Sequence, residues 1–201
     1  REGGTEVLRT VQSAPMALTP GGVRIAVRAS GVCFADVVMR MGLYPEAPAL
    51  PFVPGYEVAG IVAETGPAVR SVRPGDRVIA VPRFGGYATE VVVEEFQVRQ
   101  VPPGLSDEEA AALPVGFLTA WIALVDMARV RPGDRVLVSG AAGGVGTAAV
   151  QVAARAGAEV VGLVGSPAKQ DLVLSLGARE SFTYEQWSRR ESPAGRREFD
   201  V

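Results

Sequence analysis

The sequence predicts an α/β protein in two parts: a small β-rich domain over residues 1–114, then a parallel sheet wound with helices over 115–201. Three observations predict it. Short alternating strands punctuated by Gly and Pro fill the first hundred residues. Near residue 105 the pattern changes to helices. From Arg135 to Val164 the chain then reads strand, Gly-rich turn, helix, strand, the repeating unit of a parallel sheet.

The elements follow in order. Gly21-Gly22 precedes the alternating strand Val23–Arg28. Tyr56–Val62 reads as a second strand, closed by Thr65-Gly66-Pro67. The turn Pro74-Gly75-Asp76 feeds Arg77–Val81, and Phe84-Gly85-Gly86 leads into Tyr87–Val93. Ser106-Asp107-Glu108-Glu109 is a capping box, the serine serving the Glu109 N–H and the glutamate reaching back. A short helix through Ala110–Ala112 follows it, and Phe117–Met127 reads as a second, mostly apolar helix. Arg-Pro-Gly-Asp-Arg-Val occurs at 73–78 and again at 131–136; nothing around the copies matches, so one kind of tight turn launches a strand twice. Phe199-Asp200-Val201 resembles the opening of a buried strand, and a doubly wound sheet needs more strands than residues 115–201 supply. The reading is of a truncated second domain.

The chemistry sits at the glycine turn. Strand Arg135–Ser139 runs into Gly140-Ala141-Ala142-Gly143-Gly144-Val145-Gly146, then into a helix from about Thr147 to Ala156, then into strand Glu159–Val164. As G-x-G-x-x-G the pattern falls on Ala141, Gly143 and Gly146, with alanine in the first slot. Gly143 lets backbone approach a pyrophosphate, Gly146 lets the helix pack on the sheet, and the helix N-terminus presents free N–H groups. In this context the turn predicts a dinucleotide. An NAD site carries Asp or Glu at the end of the second strand to bind the ribose 2′-hydroxyl. Val164 and Gly165 hold that place, and Ser166-Pro167-Ala168-Lys169 follow. A hydroxyl and an ammonium suit a 2′-phosphate, which an acid would repel. The pattern therefore favours NADPH over NADH. Ser166 with Pro167 also suits a helix start, and both readings hold together.

Composition excludes several classes. Formal net charge is −2, so nothing marks a nucleic-acid partner. Histidine is absent, which removes imidazole bases and histidine-bound metals. Cys33 is the one cysteine, so no intrachain disulfide or cysteine cluster can form, which fits a cytoplasmic setting. Lys169 is the one lysine. The uncharged run Val136–Ala154 has the length of a membrane span, but its Ser, Thr, Gln and glycines fit a strand, turn and helix better. No apolar leader is visible in Arg1-Glu2-Gly3-Gly4.

The motifs Ser30-Gly31-Val32-Cys33-Phe34-Ala35-Asp36, Arg40–Pro45, Leu50–Glu57, Gly75–Val78 and Ala141–Gly146 together resemble the medium-chain dehydrogenase/reductase superfamily, in its zinc-free quinone oxidoreductase branch, with a flavour of the vesicle-amine-transport-protein-1-like group. The resemblance covers nearly the whole chain. It implies a GroES-like β domain, a Rossmann domain and an active site in the cleft between them. It implies that Ser166, Lys169 and Tyr184 cradle the 2′-phosphate and that Gly143, Gly144 and Val145 form the pyrophosphate turn. By the same match Thr119 lies near the nicotinamide end and Tyr44 at the substrate cleft. Cys33 stands where quinone reductases often carry Asn, which weakens any polar role for it and leaves it a small, partly buried side chain. Zinc-dependent relatives use a histidine where this chain has Tyr56, and a second cysteine it lacks; one soft ligand cannot hold catalytic zinc.

The resemblance implies NADPH-dependent, zinc-independent reduction of a quinone or an α,β-unsaturated carbonyl, an acceptor already polarised enough to need no Lewis acid. Tyr44 is then the candidate hydrogen-bond donor to the developing enolate oxygen, or an aromatic wall with no chemical role. A non-catalytic nucleotide-binding protein at vesicles or membranes, and an enoyl reductase acting on acyl thioesters as in polyketide assembly, remain open beside it. The whole protein is expected to be a cytoplasmic homodimer.

Overall fold

The computed structural model describes residues 2–190 and 199–201. The chain divides into two units, Arg1–Val115 and Gly116–Val201.

The first unit is an antiparallel sheet in the order β4-β1-β2-β3-β5, made of β1 (Gly22–Ser30), β2 (Val58–Thr65), β3 (Arg77–Ala80), β4 (Glu90–Glu94) and β5 (Val98–Gln100). Alternation along the strands turns Val23, Ile25, Val78, Ala80, Val91 and Val93 into one core. Two register shifts in β1 against β2, at Arg24/Ile25 and Val27/Ala29, bend the central pair. Tyr56 lies before β2, and residues 87–89 before β4, because pairing starts only at Val58 and Glu90. Two short helices flank the sheet, α1 (Phe34–Arg40) and α2 (Asp107–Ala111). The capping box on α2 is present in both directions: Glu109 N–H donates to Ser106 Oγ at 3.1 Å, and Ser106 N–H donates to Glu109 Oε2 at 2.8 Å.

Helix α3 runs Pro114–Trp121 and continues as a π-helical stretch, Ile122–Met127, rather than as the single helix from Phe117 that the apolar run suggested. Proline supplies the first helical residue, where its missing N–H costs nothing. Arg129 closes the segment at φ +57°.

The second unit is a parallel sheet in the order β6-β7-β8: β6 (Arg135–Val138), β7 (Glu159–Val164) and β8 (Glu180–Thr183). Helices α4 (Gly144–Arg155), α5 (Gln170–Ser175) and α6 (Tyr184–Ser188) connect or follow the strands. Five of the six β7 residues are buried, the continuous pattern of a covered parallel strand. Asp200 N–H donates to Arg135 O, and Leu137 N–H to Val201 O at 3.0 Å, so the last residues pair in parallel along the other edge of β6.

The two Arg-Pro-Gly-Asp copies do form the same turn. Asp76 N–H donates to Arg73 O and Asp134 N–H to Arg131 O, both at 3.1 Å. Each aspartate carboxylate returns to the arginine N–H, at 3.0 and 2.7 Å. Gly75 and Gly133 take φ +94° and +88°, which a side chain would strain. β3 and β6 begin at the residue after each aspartate.

Candidate functional site

In the second unit, the glycine turn leaves the carboxyl end of β6. Ala141 N–H donates to Leu163 O at 2.9 Å, tying the turn to the end of β7. Gly143 N–H donates back to Gly140 O at 2.8 Å. The helix begins at Gly144, three residues earlier than the sequence suggested, so Gly144, Val145 and Gly146 are its first turn. Their N–H groups have no partner within the helix, and no side chain caps them. A Cβ on Gly146 would lie 2.1 Å from Gly140 O and 2.8 Å from Ala141 Cα, whereas one on Gly144 would meet nothing. Gly146 is therefore the contact that seats α4 on the strand end, while Gly144 faces open space and is exposed, as are Gly143 and Val145. The turn is a shallow cradle of backbone donors at the positive end of a helix.

The loop after β7 leaves the same edge. Ser166 makes no cap bond; Pro167–Lys169 form one 3₁₀ turn ahead of α5. The expected serine cap is thus absent, and its hydroxyl makes no hydrogen bond among the described residues. Lys169 is exposed and has no acidic partner among them. Tyr184, the first residue of α6, accepts a hydrogen bond from Gly140 N–H at 2.9 Å and shares one with Ser139 Oγ at 3.1 Å. The structure therefore brings Tyr184 onto the root of the glycine turn. Thr119 is exposed on α3; three residues before it, a Cβ on Gly116 would lie 3.3 Å from Gly144 O, so that side of α3 borders the turn.

The first unit carries a polar cluster that sequence reasoning missed. Asp36 is buried at 5% exposure, and its two carboxylate oxygens take four donors. Gly55 N–H reaches Oδ1 at 2.9 Å; Cys33 N–H, Cys33 S–H and Tyr87 O–H reach Oδ2 at 3.0, 3.2 and 3.1 Å. Burial, with the Asp36 charge beside it, pushes the Cys33 thiol up. Tyr87 is raised above the ordinary tyrosine range, first by burial and then by the Asp36 charge. Glu57, also buried, accepts Val115 N–H at 2.8 Å at the start of α3, and burial raises its carboxyl despite that bond. A Cβ on Gly31 would sit 2.2 Å from Glu57 Oε1, so a side chain there would displace the Glu57 carboxylate. The signal was available, since Asp36 lies one helical turn after Cys33 in a helix otherwise apolar up to Arg40. Its other partners, Gly55 and Tyr87, are too distant in sequence to be read.

Tyr44 is half-buried, on the wall of a cavity of about 280 Å³ with Met39, Leu50 and Phe52. The Tyr56 phenol is raised above its usual range by burial and by its hydrogen bond with Tyr44. Phe84 packs on Tyr56 and Phe52 at ring-centre distances of 5.5 and 6.1 Å, completing an aromatic wall. Beside Cys33 and Tyr44, the apolar side chains of Val32, Phe34 and Leu43 stand 75, 79 and 66% exposed.

Comparison with known proteins fits both halves. The family of the alcohol dehydrogenase GroES-like domain matches residues 19–103, and the zinc-binding dehydrogenase family matches residues 144–196. The chain is 47% identical over 174 residues to the spectinabilin polyketide synthase system protein NorB of Streptomyces orinoci, covering 87% of this chain and 8% of that protein. It is 41% identical over 179 residues to quinone oxidoreductase-like protein 2 of Bos taurus, covering 89% of this chain and 51% of the relative. The structure of Escherichia coli quinone oxidoreductase complexed with NADPH superposes with a TM-score of 0.85 at 34% identity, over 92% of this chain and 57% of that one. The chain thus spans about half the length of the quinone oxidoreductases it matches, and a small part of the synthase.

Proposed function

Because the chain belongs to the medium-chain dehydrogenase/reductase superfamily, in its quinone oxidoreductase branch, we propose that it is part of an NADPH-dependent reductase of quinones or α,β-unsaturated carbonyls. One observation carries the cofactor choice. Among the described residues, the loop at the end of β7 offers a serine hydroxyl and an ammonium without partners, and no carboxylate, at the sheet edge that also bears the glycine turn.

The residues fit the cofactor. The first-turn N–H groups of Gly144, Val145 and Gly146 hold the pyrophosphate, with Ala141 and Gly143 shaping the turn beneath it. Ser166 and Lys169 hold the 2′-phosphate, Tyr184 closes the same rim, and Thr119 borders the turn from α3. Bound NADPH supplies a hydride. The Tyr44 phenol donates a hydrogen bond to the carbonyl oxygen of the acceptor, where negative charge grows. Met39, Leu50 and Phe52 wall the cavity beside that phenol, and Cys33 serves as packing.

The residues do not fit zinc. The Cys33 thiol is held protonated by burial and by its bond to Asp36, and the Asp36 oxygens are already filled by four donors. Tyr56 beside them is a phenol with a raised pKa. Zinc needs thiolate, imidazole or free carboxylate ligands, so no step is assigned to a metal. The whole protein is read as a cytoplasmic homodimer with a small-molecule substrate; no helix among the described residues is long and apolar enough to cross a membrane.

The test is a titration of NADPH and NADH against the wild type and Lys169→Ala. The variant should lose about 10- to 100-fold for NADPH, the scale of a charged hydrogen bond at ~1.5–3 kcal/mol, and little for NADH. Equal losses would defeat the phosphate assignment. The similarity to a polyketide synthase favours a second substrate class, an enoyl thioester. Turnover of a crotonyl-type thioester but no quinone would select it.

A further inference from the structure

The buried carboxylate of Asp36 joins distant parts of the first unit through the donors it holds. Gly55 N–H, on Oδ1, belongs to the segment Val53–Gly55, and the Tyr87 hydroxyl, on Oδ2, belongs to Gly85–Tyr87. Those two segments run side by side. Gly85 N–H donates to Val53 O at 2.9 Å, Gly86 N–H to Gly55 O at 3.0 Å and Tyr87 N–H to Pro54 O at 2.9 Å. They are pressed together as well: a Cβ on Gly55 would stand 2.6 Å from Tyr87 N, and one on Gly86 would stand 2.8 Å from Gly55 O. Backbone bonds thus fix the segments to each other, and one carboxylate fixes both to the first turn of α1.

The residues just outside this junction are aromatic. Tyr56 follows Gly55, Phe84 precedes Gly85, and their ring centres lie 5.5 Å apart. Phe84 also meets Phe52, at 6.1 Å; Phe52 precedes Val53 and lines the cavity with Tyr44. Tyr44 is tied to the same carboxylate from the other direction. Asp36 lies in the first turn of α1, and past the end of that helix Leu43 N–H donates to Val38 O at 3.0 Å, with Tyr44 the next residue. The rings and the phenol come from different stretches of chain, and Asp36 is where those stretches are joined.

We infer that Asp36 and Tyr87 are a positioning pair for the acceptor: through segments 53–55 and 85–87 they hold Phe52, Phe84 and Tyr56 as the aromatic wall of the Tyr44 cavity, and that wall favours flat aromatic quinones over small aliphatic enones. The inference rests on the reading of this cavity as the acceptor site and names the class of acceptor it takes. A flat ring gains from stacked or edge-on contact with aromatic side chains held in place, whereas a small aliphatic enone has no ring face to offer. Neither Asp36 nor Tyr87 is among the residues that line the cavity, so their effect passes through the wall.

The experiment measures kcat and KM of the whole protein for phenanthrenequinone and for cyclohexenone under saturating NADPH. The proteins are the wild type, Tyr87→Phe, Asp36→Asn, Phe84→Leu and the double variant Tyr87→Phe/Phe84→Leu. Tyr87→Phe keeps the ring and removes the hydroxyl from Asp36 Oδ2. Its KM for phenanthrenequinone should rise about three- to tenfold, the scale of one misplaced aromatic contact. Its KM for cyclohexenone and its NADPH dissociation constant should stay within about twofold of the wild type, the scatter of independent sites. Phe84→Leu should reproduce that pattern, and adding Tyr87→Phe to it should change KM by less than about twofold, because the wall is already broken. Partial unfolding lowers kcat for both acceptors alike and leaves both KM values in place, so it does not imitate this result.

Equal rises in both KM values, or no change in either, would overturn the inference, as would effects of Tyr87→Phe and Phe84→Leu that multiply in the double variant. A wild type whose kcat/KM is no better for phenanthrenequinone than for cyclohexenone would overturn the acceptor class. Should Tyr87→Phe not fold, Asp36→Asn decides by the same two KM values, since its amide keeps one acceptor oxygen for four donors and breaks the same tie. Should neither fold, the cluster is a folding element and the inference falls. If the wild type reduces neither acceptor, the reading of the cavity itself falls, a result distinct from every variant outcome.

Discussion

Replacing Gly146 by alanine tests the geometry of the glycine turn most directly. The new Cβ would stand 2.1 Å from Gly140 O, more than 1 Å inside the 3.4 Å at which ordinary contact begins, and 2.8 Å from both Gly140 C and Ala141 Cα, also well inside it. All three atoms are backbone, so no side chain can rotate away. Relief requires α4 to slide off the end of β6, or the turn to open. Overpacking of this kind costs about 1–3 kcal/mol. Better helix propensity of alanine returns at most ~1 kcal/mol. The net loss should be about 1–2 kcal/mol, and for a unit of this size each kcal/mol moves the melting point by roughly 4–8 °C. Both tryptophans, Trp121 and Trp187, lie in the second unit, so tryptophan fluorescence follows its unfolding apart from the first. Gly144→Ala is the control. Its Cβ meets nothing within 4 Å, and its backbone is not left-handed, so it should be neutral or up to ~1 kcal/mol more stable. Its methyl lies on the ligand side, however, and should weaken nucleotide binding. The reasoning fails if Gly146→Ala melts like the wild type, or if Gly144→Ala costs as much.

Glu57 predicts a pH effect on stability. Burial raises its folded-state carboxyl above the unfolded value, so the folded chain holds the proton more tightly, and the contribution of Glu57 is fully present at acid pH and declines as pH rises through the folded pKa. Asp36 is the neighbouring charge that adds to this rise. Glu57→Gln keeps an oxygen for the Val115 N–H and removes the titration; its melting point relative to wild type should climb between pH 4 and pH 8, and a flat difference would contradict the assignment. Tyr44→Phe should lower kcat for a quinone or enone by about 10- to 100-fold with the NADPH dissociation constant unchanged; full activity in the variant would make Tyr44 a wall.

Much of this was legible from the sequence because it is local. Alternation located the strands, the Ser106–Glu109 pair located α2, and the repeated Arg-Pro-Gly-Asp located two strand starts. These signals act within a few residues of the structure they cause. The start of α4 was read three residues late because Gly144 and Gly146 look like turn residues to any propensity argument, yet here they take helical backbone while one of them seats the helix. The π-helical stretch after Trp121 has no such signature in the apolar run. Ser166 had the composition of a cap, but the single 3₁₀ turn that follows leaves its hydroxyl without a backbone N–H to accept. The Asp36 cluster was hidden for a different reason. Beyond the adjacent Cys33, its donors come from Gly55 and Tyr87, and only folding makes them neighbours.

That cluster decides what proton chemistry is open to the first unit. Asp36 has spent both oxygens on four donors, and one oxygen of Glu57 is taken by Val115 N–H while the other lies against Gly31. Asp36 has no oxygen left without a donor, and Glu57 keeps only the buried oxygen packed against Gly31. The Cys33 thiol and the Tyr56 and Tyr87 phenols are all raised, chiefly by burial, and no histidine exists to titrate between them. A hydrogen bond to the acceptor must then come from a neutral phenol or from water. Turnover of a quinone should accordingly vary less than about threefold from pH 7 to pH 9, since burial holds the Cys33 thiol and the Tyr56 and Tyr87 phenols above their ordinary ranges. The measurement is kcat against pH under saturating NADPH, with the same profile taken on Tyr44→Phe. A limb with an apparent pKa between 7 and 9 that Tyr44→Phe retains would mean that an ionising group outside this cluster performs the proton transfer, and the assignment of that step to the phenols of the first unit would be wrong.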